Sequence, residues 1–436
     1  MIAVIMAGGK GSRLVTITKD IIPKPMVLFC GIPILENQIN ILKSNGISEY
    51  ILVVGYLKDK IIDYFGNGEK FGVTVSYVEE AEPLGTAGAL YYIKNKISDD
   101  FLLVFGDTIF DININRMLQF HLKNQSIATL FIHPNSHPYD SDLVVVDEKN
   151  KIIGIDSKNN KRDYFYHNCV NAGFYILSSK ILFSFKEPQK LDMEKNVLSD
   201  LINNNEAVYG YKSSEYIKDV GTVDRITMAE NDNRNNTIKS KNLDSFQKCI
   251  FIDRDGTLNK YIGLLTKPEQ LELIENSDQA VKLINSSNYL VIVITNQPVV
   301  ARGMCLVDDV KIIHKKLETV LGSLGAYVDD ILFCPHHPDK GYPKENPLYK
   351  IVCNCRKPEI GMIEECVKKY NIDISKSWFI GDTTRDVQTG VNAGLKTVLV
   401  LTGECGNDKK YDVTPDYICE NLFSAVKKIL EIERKI

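Results

Sequence analysis

The sequence has no long hydrophobic run, no excess of basic residues and no dense set of cysteines. None of its 436 residues belong to an apolar stretch of the ~20 positions needed to cross a bilayer. The formal net charge of −4 does not favour nucleic-acid binding, and ten cysteines are too sparse for a disulfide framework. Residues 1–7 (MIAVIMA) lack the basic segment that opens a signal peptide. We therefore expect a cytoplasmic protein that binds neither membrane nor nucleic acid.

The length of the chain predicts more than one domain. At ~150 residues per domain, 436 residues correspond to two or three domains, and we expect two. Residues 231–248 are rich in Asn, Lys and Ser, show no apolar periodicity and contain neither Gly nor Pro, which is typical of a linker. We predict domains at 1–232 and 248–436, joined by a linker at 233–247.

A pair of aspartates follows an apolar segment in the middle of the chain. Residues 249–252 (CIFI) predict a buried strand, and Asp253 and Asp255 follow it on one side before the turn at Gly256. Ligands bind at this edge of a parallel sheet, and two carboxylates so close need a cation or a proton. We interpret Asp253 as a Mg²⁺-bound nucleophile and Asp255 as general acid and base. The alternative is a surface turn, where Asp and Gly are common.

Further segments of the second half supply the other groups that a phosphoaspartate mechanism needs. Residues 290–294 (LVIVI) predict a strand that ends at Thr295, and residues 378–380 (WFI) predict another that ends before Asp382. A hydroxyl and a cation can bind the phosphoryl oxygens, and a further carboxylate can bind Mg²⁺. Thr295, Lys357 and Asp382 have these functions in our interpretation.

This series of motifs resembles the haloacid dehalogenase superfamily of phosphatases. The resemblance covers roughly residues 246–436 and implies a Rossmann-like sheet with Mg²⁺ held by Asp253, Asp255 and Asp382.

Cysteine and histidine residues cluster between the second and third of these motifs. Cys334 is followed by His336 and His337, and Cys353 and Cys355 lie beyond a loop of about sixteen residues. Three thiolates and one imidazole form a closed set of the type that suits structural Zn²⁺, although the spacing is not that of a zinc finger. Unrelated loop cysteines are the alternative. The resemblance favours His336 over His337 as the fourth ligand.

The predicted zinc loop narrows the resemblance to the subgroup that contains heptose bisphosphate phosphatases and histidinol-phosphate phosphatases. In this subgroup the substrate is contacted by residues that follow the second motif and by the residue directly before the lysine that corresponds to Lys357. The resemblance implies substrate contacts at Asn296, Gln297, Arg302 and Arg356.

The first half of the chain opens with a strand and a glycine-rich turn, residues 8–14 (GGKGSRL). The turn is not a Walker A loop, because Gly11 stands where Ser or Thr would follow the lysine, and it lacks the third glycine of the dinucleotide motif. Free backbone N–H groups and the Arg13 guanidinium suit a triphosphate. A plain glycine turn is the alternative.

The glycine-rich turn begins an ordered series of motifs that resembles the sugar-1-phosphate nucleotidyltransferases. The resemblance covers roughly residues 1–232 and implies a mixed, mostly parallel sheet with helices on both faces. The remaining motifs are residues 23–26 (PKPM), 31–36 (GIPILE), 83–88 (PLGTAG), 106–107 (GD), 171–173 (NAG), 194–195 (EK) and 219–222 (DVGT).

The same resemblance implies a role for individual residues. The expected nucleotide contacts are Gly8, Gly9, Gly11, Gly85 and Thr86, and the expected phosphate contacts are Arg13 and Lys24. Asp107 and Asp219 are the expected Mg²⁺ ligands. The expected sugar contacts are Asn171, Gly173, Glu194 and Lys195. Residues 102–105 (LLVF) independently predict a strand that ends near Asp107, and oxygen ligands suit Mg²⁺. Lys195 has an alternative, a solvated helix face.

Glu80 is the candidate for reading the base. In the resembling family the residue three after a tyrosine such as Tyr77 faces the pairing edge. A carboxylate accepts two hydrogen bonds side by side, and guanine alone presents two adjacent donors there. The sequence therefore predicts a preference for GTP, with a solvated acid beside Glu79 as the alternative.

Taken together, the two halves predict a bifunctional α/β enzyme of nucleotide-activated heptose synthesis. The phosphatase would remove the 7-phosphate of D-glycero-D-manno-heptose 1,7-bisphosphate, and the transferase would join a nucleotide to heptose 1-phosphate. The alternatives are a phosphatase for another sugar bisphosphate or histidinol phosphate, with a nucleotide-sensing or different-sugar first domain. Nucleic-acid end repair lacks support, since neither a Walker A loop nor a basic groove is present.

Overall fold

The computed structural model describes residues 1–434, the side chain of Ser12 excepted, as two compact units. Unit 1 comprises Met1–His133, Asp142–Ser157 and Val170–Asn242. Unit 2 comprises Pro134–Ser141, Lys158–Cys169 and the chain from Leu243 onward. The last two residues of the predicted second domain, 435 and 436, lie outside the described residues. The domain bounds at 232 and 248 stay a prediction.

Apolar, β-branched segments of unit 1 form its strands. In chain order they are β1 (Ala3–Met6), β2 (Leu28–Phe29), β3 (Ile32–Pro33), β4 (Glu49–Val54), β5 (Thr74–Glu79), β6 (Phe101–Phe105), β7 (Thr108–Asp111), β8 (Ala128–His133), β9 (Leu143–Val146), β10 (Ile152–Asp156), β11 (Val170–Leu177), β12 (Val208–Lys212) and β13 (Tyr216–Asp219).

Most of these strands build one mixed sheet of nine strands. Its main path runs β10-β9-β11-β6-β1-β4-β5, and β8 joins β11 to β12. The pairs of β1 with β4 and β6, and of β4 with β5, are parallel, whereas β11 runs antiparallel to β6. β7 and β13 form a separate antiparallel pair, as do β2 and β3. The parallel centre brings the carboxyl ends of β1 and β6 to one edge, where ligands bind in such sheets.

The helices of unit 1 pack on this sheet, whose core includes Ile5, Leu52 and Val104, and on the β7–β13 pair. They are α1 (Val15–Thr18), α2 (Ile34–Ser44), α3 (Lys58–Phe65), α4 (Ile114–Lys123), α5 (Ser199–Asn203), α6 (Val223–Arg234) and α7 (Thr237–Ser240).

The segment with linker composition is partly helical. α6 continues to Arg234, and α7 occupies four of the residues that the sequence predicts as linker. Ile238 and Leu243 are buried, which explains the difference: isolated apolar residues anchor the segment although it has no apolar periodicity.

Unit 2 contains a parallel sheet of six strands in the order β16-β15-β14-β17-β18-β19. The strands are β14 (Lys248–Ile252), β15 (Tyr289–Asn296), β16 (Asp330–Cys334), β17 (Trp378–Gly381), β18 (Lys396–Val400) and β19 (Tyr417–Cys419). The helices are α8 (Ser277–Asn285), α9 (Val307–Ser323), α10 (Gly361–Tyr370), α11 (Thr384–Ala393) and α12 (Leu422–Glu433). Apolar clusters lie on both faces of the sheet, since Ile250 belongs to one and Phe251 to the other. Such burial on both faces produces the continuous apolar strands read from the sequence.

None of the helices in residues 1–434 has the length and apolar composition that a membrane-spanning helix needs.

Candidate active sites

The glycine-rich turn of unit 1 leaves the carboxyl end of β1 and packs against Lys24. Gly11 has a φ of +65°, and a Cβ there would lie 2.8 Å from the Cβ of Lys24, so the close approach requires glycine. The Lys24 ammonium forms an ion pair with Asp107, which follows β6. The structure therefore brings a predicted phosphate contact and a predicted metal ligand together at the edge of the sheet.

The pairing of β7 with β13 places Asp219 near Asp107. Asp219 lies opposite Thr108, and the Asp107 carbonyl accepts a hydrogen bond of 2.7 Å from the Val220 N–H. Asp219 forms an ion pair with Arg225. Arg13 reaches the same place. A Cβ added to Gly221 would lie 2.9 Å from Arg13 Nη2 and 3.2 Å from Asp219 Oδ2, so these two side chains are neighbours. Two carboxylates and three cations thus meet where a polyanion and its metal would bind.

The second glycine turn of unit 1 is held against the segment that carries Glu194. Gly85 has a φ of +80°, and a Cβ there would clash with the Leu191 carbonyl. Thr86 Oγ1 accepts a hydrogen bond of 2.7 Å from the Met193 N–H. The predicted nucleotide-side and sugar-side motifs are therefore neighbours.

Glu194 lies in a single π-helical turn, Met193–Leu198, and faces β11. Asn171 Nδ2 donates 2.7 Å hydrogen bonds to Glu194 Oε1 and to the Tyr175 hydroxyl. Burial, together with the nearby Asp142 carboxylate, raises the pKa of Glu194 to about 7. A carboxyl group held by an asparagine at this place suits hydrogen bonds to sugar hydroxyls. The side chain of Lys195 is exposed.

Glu80 lies beside the first glycine turn. Its Oε1 accepts a hydrogen bond of 3.2 Å from the Leu84 N–H, and its Oε2 lies 2.6 Å from the point where a Gly8 Cβ would stand. Burial raises the pKa of this half-buried carboxyl group. Glu80 therefore stands between the two predicted nucleotide loops.

In unit 2 three aspartates converge at the carboxyl ends of β14 and β17. One carboxylate oxygen from each of Asp253, Asp382 and Asp386 lies within 4.8 Å of the others. Burial, and then the nearby Asp386 carboxylate, raise the pKa of Asp253 to about 7 and that of Asp382 to about 8. Three buried carboxyl groups so close together favour a cation or shared protons.

Lys357 is the cation that the structure itself supplies. Its Nζ lies 2.9 Å from Asp253 Oδ1 and 2.6 Å from Asp386 Oδ1, and the residue is 3% exposed. Although burial lowers the pKa of Lys357, the two carboxylates raise it above the ordinary value. Asn296 holds the backbone of Lys357 through hydrogen bonds of 3.1 and 3.0 Å, so this predicted substrate contact also positions the lysine.

Asp255 faces a different set of partners from Asp253. Arg254 binds it in a forked arrangement, and Asn259 and Gln297 each donate a hydrogen bond, of 3.0 and 2.9 Å. Gln297 also donates to Thr295 Oγ1 at 3.0 Å, which joins the hydroxyl predicted to bind phosphoryl oxygens to this network. The structure groups Asp253 and Asp382 with Asp386, whereas the side chain of Asp255, predicted as a third Mg²⁺ ligand, points to these donors.

The aspartate cluster fits a divalent cation. Asp382 is 1% exposed, its Oδ2 accepts a hydrogen bond of 2.7 Å from the Glu404 N–H, and its Oδ1 is buried without any partner. A buried carboxylate oxygen without a partner is costly unless a cation binds it. Hard oxygen ligands are those that Mg²⁺ prefers.

The predicted zinc residues come together at the end of β16. Sγ–Sγ distances among Cys334, Cys353 and Cys355 are 3.5, 3.3 and 3.3 Å. His336 Nδ1 lies 3.6 Å from Cys334 Sγ and 3.3 Å from Cys355 Sγ. Zn–S bonds of ~2.3 Å would place tetrahedral sulfurs ~3.8 Å apart, so this set fits zinc after a small expansion.

His337 lies outside that set and faces Arg302 instead. Its Nε2 is 3.3 Å from Arg302 Nη2. The Arg302 guanidinium stacks on Tyr342 at 4.5 Å, and its Nε is buried without a partner. Burial and the nearby Arg385 lower the pKa of Arg356. These converging guanidinium groups fit an anion such as a phosphate.

Comparison with known proteins finds relatives for both halves of the chain. The nucleotidyl transferase family matches residues 2–236, more than half of the chain. The HAD-hydrolase-like family matches residues 354–425. A D-glycero-D-manno-heptose-1,7-bisphosphate 7-phosphatase of Chlorobaculum tepidum is 34% identical over 187 residues, which cover 41% of this chain and 92% of that protein. The chain belongs to the nucleotidyl transferase family and to the HAD-type phosphatases.

Two further similarities concern the nucleotidyl transferase half. A mannose-1-phosphate guanylyltransferase of Mycobacterium tuberculosis is 29% identical over 222 residues, which cover 50% of this chain and 61% of that enzyme. The crystal structure of HddC from Yersinia pseudotuberculosis complexed with GMP-PN is 26% identical, with a TM-score of 0.46, and covers 53% of this chain and 99% of that one. The predicted fusion, fold class and pair of enzyme activities are confirmed.

The sequence analysis gives no role to three residues of the phosphatase site. Asp386 binds Lys357, and its position four residues after Asp382 is the signal that could have assigned it. Arg254 stands between the two aspartates of the first motif, yet nothing local shows that it turns back onto Asp255. His314 comes from α9 and has no sequence signal at all.

Proposed function

We propose that the phosphatase half removes the 7-phosphate of D-glycero-D-manno-heptose 1,7-bisphosphate, and that the nucleotidyl transferase half then joins GMP from GTP to heptose 1-phosphate. The relatives support the two assignments, because the phosphatase relative is named for a heptose bisphosphate and a transferase relative is a guanylyltransferase. The observation that carries the phosphatase half is Asp253, which lies at a strand end beside Lys357 and the partnerless oxygen of Asp382.

In the proposed phosphatase reaction Asp253 is the nucleophile. Its carboxylate attacks the phosphorus to form an aspartyl phosphate, and Asp255 gives a proton to the departing sugar oxygen. Lys357 and the Thr295 hydroxyl bind phosphoryl oxygens as charge develops. Asp253 and Asp382 would hold Mg²⁺, which when bound offsets the charge of the phosphate.

The phosphate that stays on the sugar would bind near Arg302 and Arg356. The partnerless Nε of Arg302 supports this assignment, because a buried donor needs an acceptor. Zn²⁺ would hold the surrounding loop through Cys334, His336, Cys353 and Cys355.

In the proposed transferase reaction a sugar phosphate oxygen attacks the α-phosphorus of the nucleotide and pyrophosphate leaves. Arg13 and Lys24 bind the phosphates, and Asp107 and Asp219 would hold Mg²⁺. Asn171 and Glu194 orient the sugar, with Lys195 nearby. Glu80 accepts hydrogen bonds from the ring N–H and amine of guanine. The domain bounds and the cytoplasmic location stay predictions.

A substrate comparison tests the phosphatase proposal. The purified chain should hydrolyse heptose 1,7-bisphosphate with kcat/KM at least ~100-fold above that for fructose 1,6-bisphosphate or histidinol phosphate, because two anchored phosphates and a fitted sugar orient the reacting bond. Comparable turnover of these substrates would reject the heptose assignment.

A nucleotide comparison tests the base. The wild type should prefer GTP over ATP, UTP and CTP, and Glu80→Gln should reduce that preference, since an amide presents one acceptor and a competing donor. Glu79→Gln is the matched control, because Glu79 pairs with Lys58. An unchanged preference in Glu80→Gln would remove Glu80 from base recognition.

A further inference from the structure

Arg254 is a fully buried arginine inside the first phosphatase motif. It is 0% exposed and directly follows the proposed nucleophile, Asp253. A guanidinium stays protonated in proteins and has only donors, so burial is tolerable only when acceptors surround it. The identity of those acceptors therefore decides what Arg254 does.

One side of the guanidinium grips Asp255. Nε lies 3.1 Å and Nη2 lies 3.0 Å from Asp255 Oδ1, and Nη2 lies 2.8 Å from Oδ2. A planar fork that meets both carboxylate oxygens fixes the rotation of the carboxyl group as well as its distance.

The other side of the guanidinium is anchored by His314. Arg254 Nη1 lies 3.1 Å from His314 Nε2. Because the arginine must donate, Nε2 must accept, which requires a neutral imidazole with its proton on Nδ1. Burial and the Arg254 charge lower the pKa of His314 well below its ordinary range, in agreement with this tautomer. The ring packs edge-on against Phe333 at 5.1 Å, so α9 and β16 fix its orientation.

We propose that Arg254 is a positioning residue for Asp255 and that His314 holds Arg254 in place. The inference rests on the proposed function, in which Asp255 protonates the departing oxygen. In that step the Asp253 carboxylate forms a bond to phosphorus, the bond from phosphorus to the sugar oxygen breaks, and the proton of Asp255 moves to that oxygen. Water then attacks the phosphorus, gives a proton back to Asp255 and releases phosphate from Asp253.

The ion pair acts on the proton transfer. The forked contact keeps the carboxyl group from rotating away from the departing oxygen. Loss of Arg254 should therefore slow reactions that need a proton donor and spare those that do not.

Leaving-group dependence distinguishes this role from a structural one. A sugar alkoxide needs a proton as it leaves, whereas 4-nitrophenolate does not. Arg254→Gln should lower kcat/KM, which reports the steps up to departure of the leaving group, ~100-fold on heptose 1,7-bisphosphate and less than ~5-fold on 4-nitrophenyl phosphate, since general acid catalysis contributes ~100-fold or more. Equal losses on both substrates would overturn the proposal.

Arg254→Lys provides the variant that keeps the buried charge. It should fold like the wild type, as judged by its thermal unfolding midpoint, and show the same selective loss at a smaller size, ~10-fold on the sugar substrate. If Arg254→Gln fails to fold, the lysine variant decides the question, and an unselective loss in it overturns the proposal.

A double-mutant cycle with Asp255→Asn separates this inference from the proposed function. When Asp255 is already Asn, adding Arg254→Gln should cost less than ~3-fold, because the arginine acts through the missing acid. Independent, multiplying losses would overturn the inference alone. If Asp255→Asn lowers kcat/KM equally on both substrates, the proposed acid role of Asp255 fails instead.

The anchoring step is tested at His314. His314→Gln keeps a side-chain acceptor and should retain the wild-type selectivity between the two substrates to within ~3-fold. His314→Leu removes the acceptor and should reproduce the selective loss of Arg254→Gln at ~10-fold or more, because a buried donor is left unsatisfied. Unchanged selectivity in His314→Leu would remove His314 from the positioning network.

Discussion

At the residue scale, the phosphatase site depends on charges that are buried together. Lys357 stands between Asp253 and Asp386, and all three side chains are nearly inaccessible to water. Removal of one partner leaves an uncompensated charge, which costs more than the pair contributes when both are present.

Asp386→Asn tests this arrangement. The variant removes one of the two carboxylates that hold Lys357, so we expect the lysine to shift and kcat of the phosphatase to fall about 10- to 100-fold. The control is Asp330→Asn, which breaks an ion pair with Lys369 outside the site and should leave kcat unchanged. Wild-type kcat in Asp386→Asn would contradict the role of Asp386.

Glu194 predicts a pH dependence of stability in unit 1. Its pKa rises from 4.5 to about 7 on folding because of burial. A carboxyl group whose folded pKa is raised contributes stability below pH 4.5 that is lost as the pH rises to about 7, since the unfolded chain ionises first.

Urea unfolding across that pH range measures the effect. Glu194→Gln stays neutral at every pH. The difference in unfolding free energy between this variant and the wild type should therefore rise, in favour of the variant, by up to about 3 kcal/mol between pH 5 and 8. The matched control is Glu206→Gln at an exposed position, whose difference from the wild type should not change with pH. A pH-independent difference for Glu194→Gln would refute the burial argument.

At the scale of elements, the apolar strands were readable from the sequence, and their tertiary partners were not. Residues 249–252 and 290–294 predict strands that the structure extends to Lys248–Ile252 and Tyr289–Asn296. Burial on both faces makes such strands uniformly apolar, which is a local signal. Helix α7 has no such signal, because one buried Ile238 anchors it.

The candidate sites divide in the same way. Asp253 and Asp382 could be predicted because each directly follows an apolar strand, and Lys357 because it stands in a short motif with Arg356 and Pro358. The contact of Arg254 with His314 joins two positions sixty residues apart through the packing of α9, so spacing along the chain gives no sign of it. Short local motifs mark the proposed catalytic groups, whereas the residues that position them come close only through tertiary packing.

The loop with the predicted zinc residues gives the prediction that belongs to this scale. Elemental analysis should find one Zn²⁺ per chain, and Cys353→Ser should lose it. Because metal binding is coupled to ordering of the loop, a loss of ~2 kcal/mol would lower the unfolding midpoint of unit 2 by ~4–8 °C. His337→Ala should keep the metal, since that ring faces Arg302. Zinc-free wild type prepared without chelator would contradict this prediction.

At the scale of the whole molecule, two enzyme families share one chain, and the proposed product of one half is the proposed substrate of the other. The central claim is that a single polypeptide converts a heptose bisphosphate and GTP into a nucleotide-activated heptose. Asp253 belongs to the phosphatase half, so its loss should block only the first reaction.

The most direct measurement supplies the purified chain with heptose 1,7-bisphosphate, GTP, Mg²⁺ and pyrophosphatase and follows the formation of GDP-heptose. We predict that the wild type forms it, that Asp253→Asn does not, and that added heptose 1-phosphate restores formation by Asp253→Asn to the wild-type rate. Failure of heptose 1-phosphate to restore the product with a folded Asp253→Asn chain, or GDP-heptose formed by that variant from the bisphosphate alone, would contradict the account.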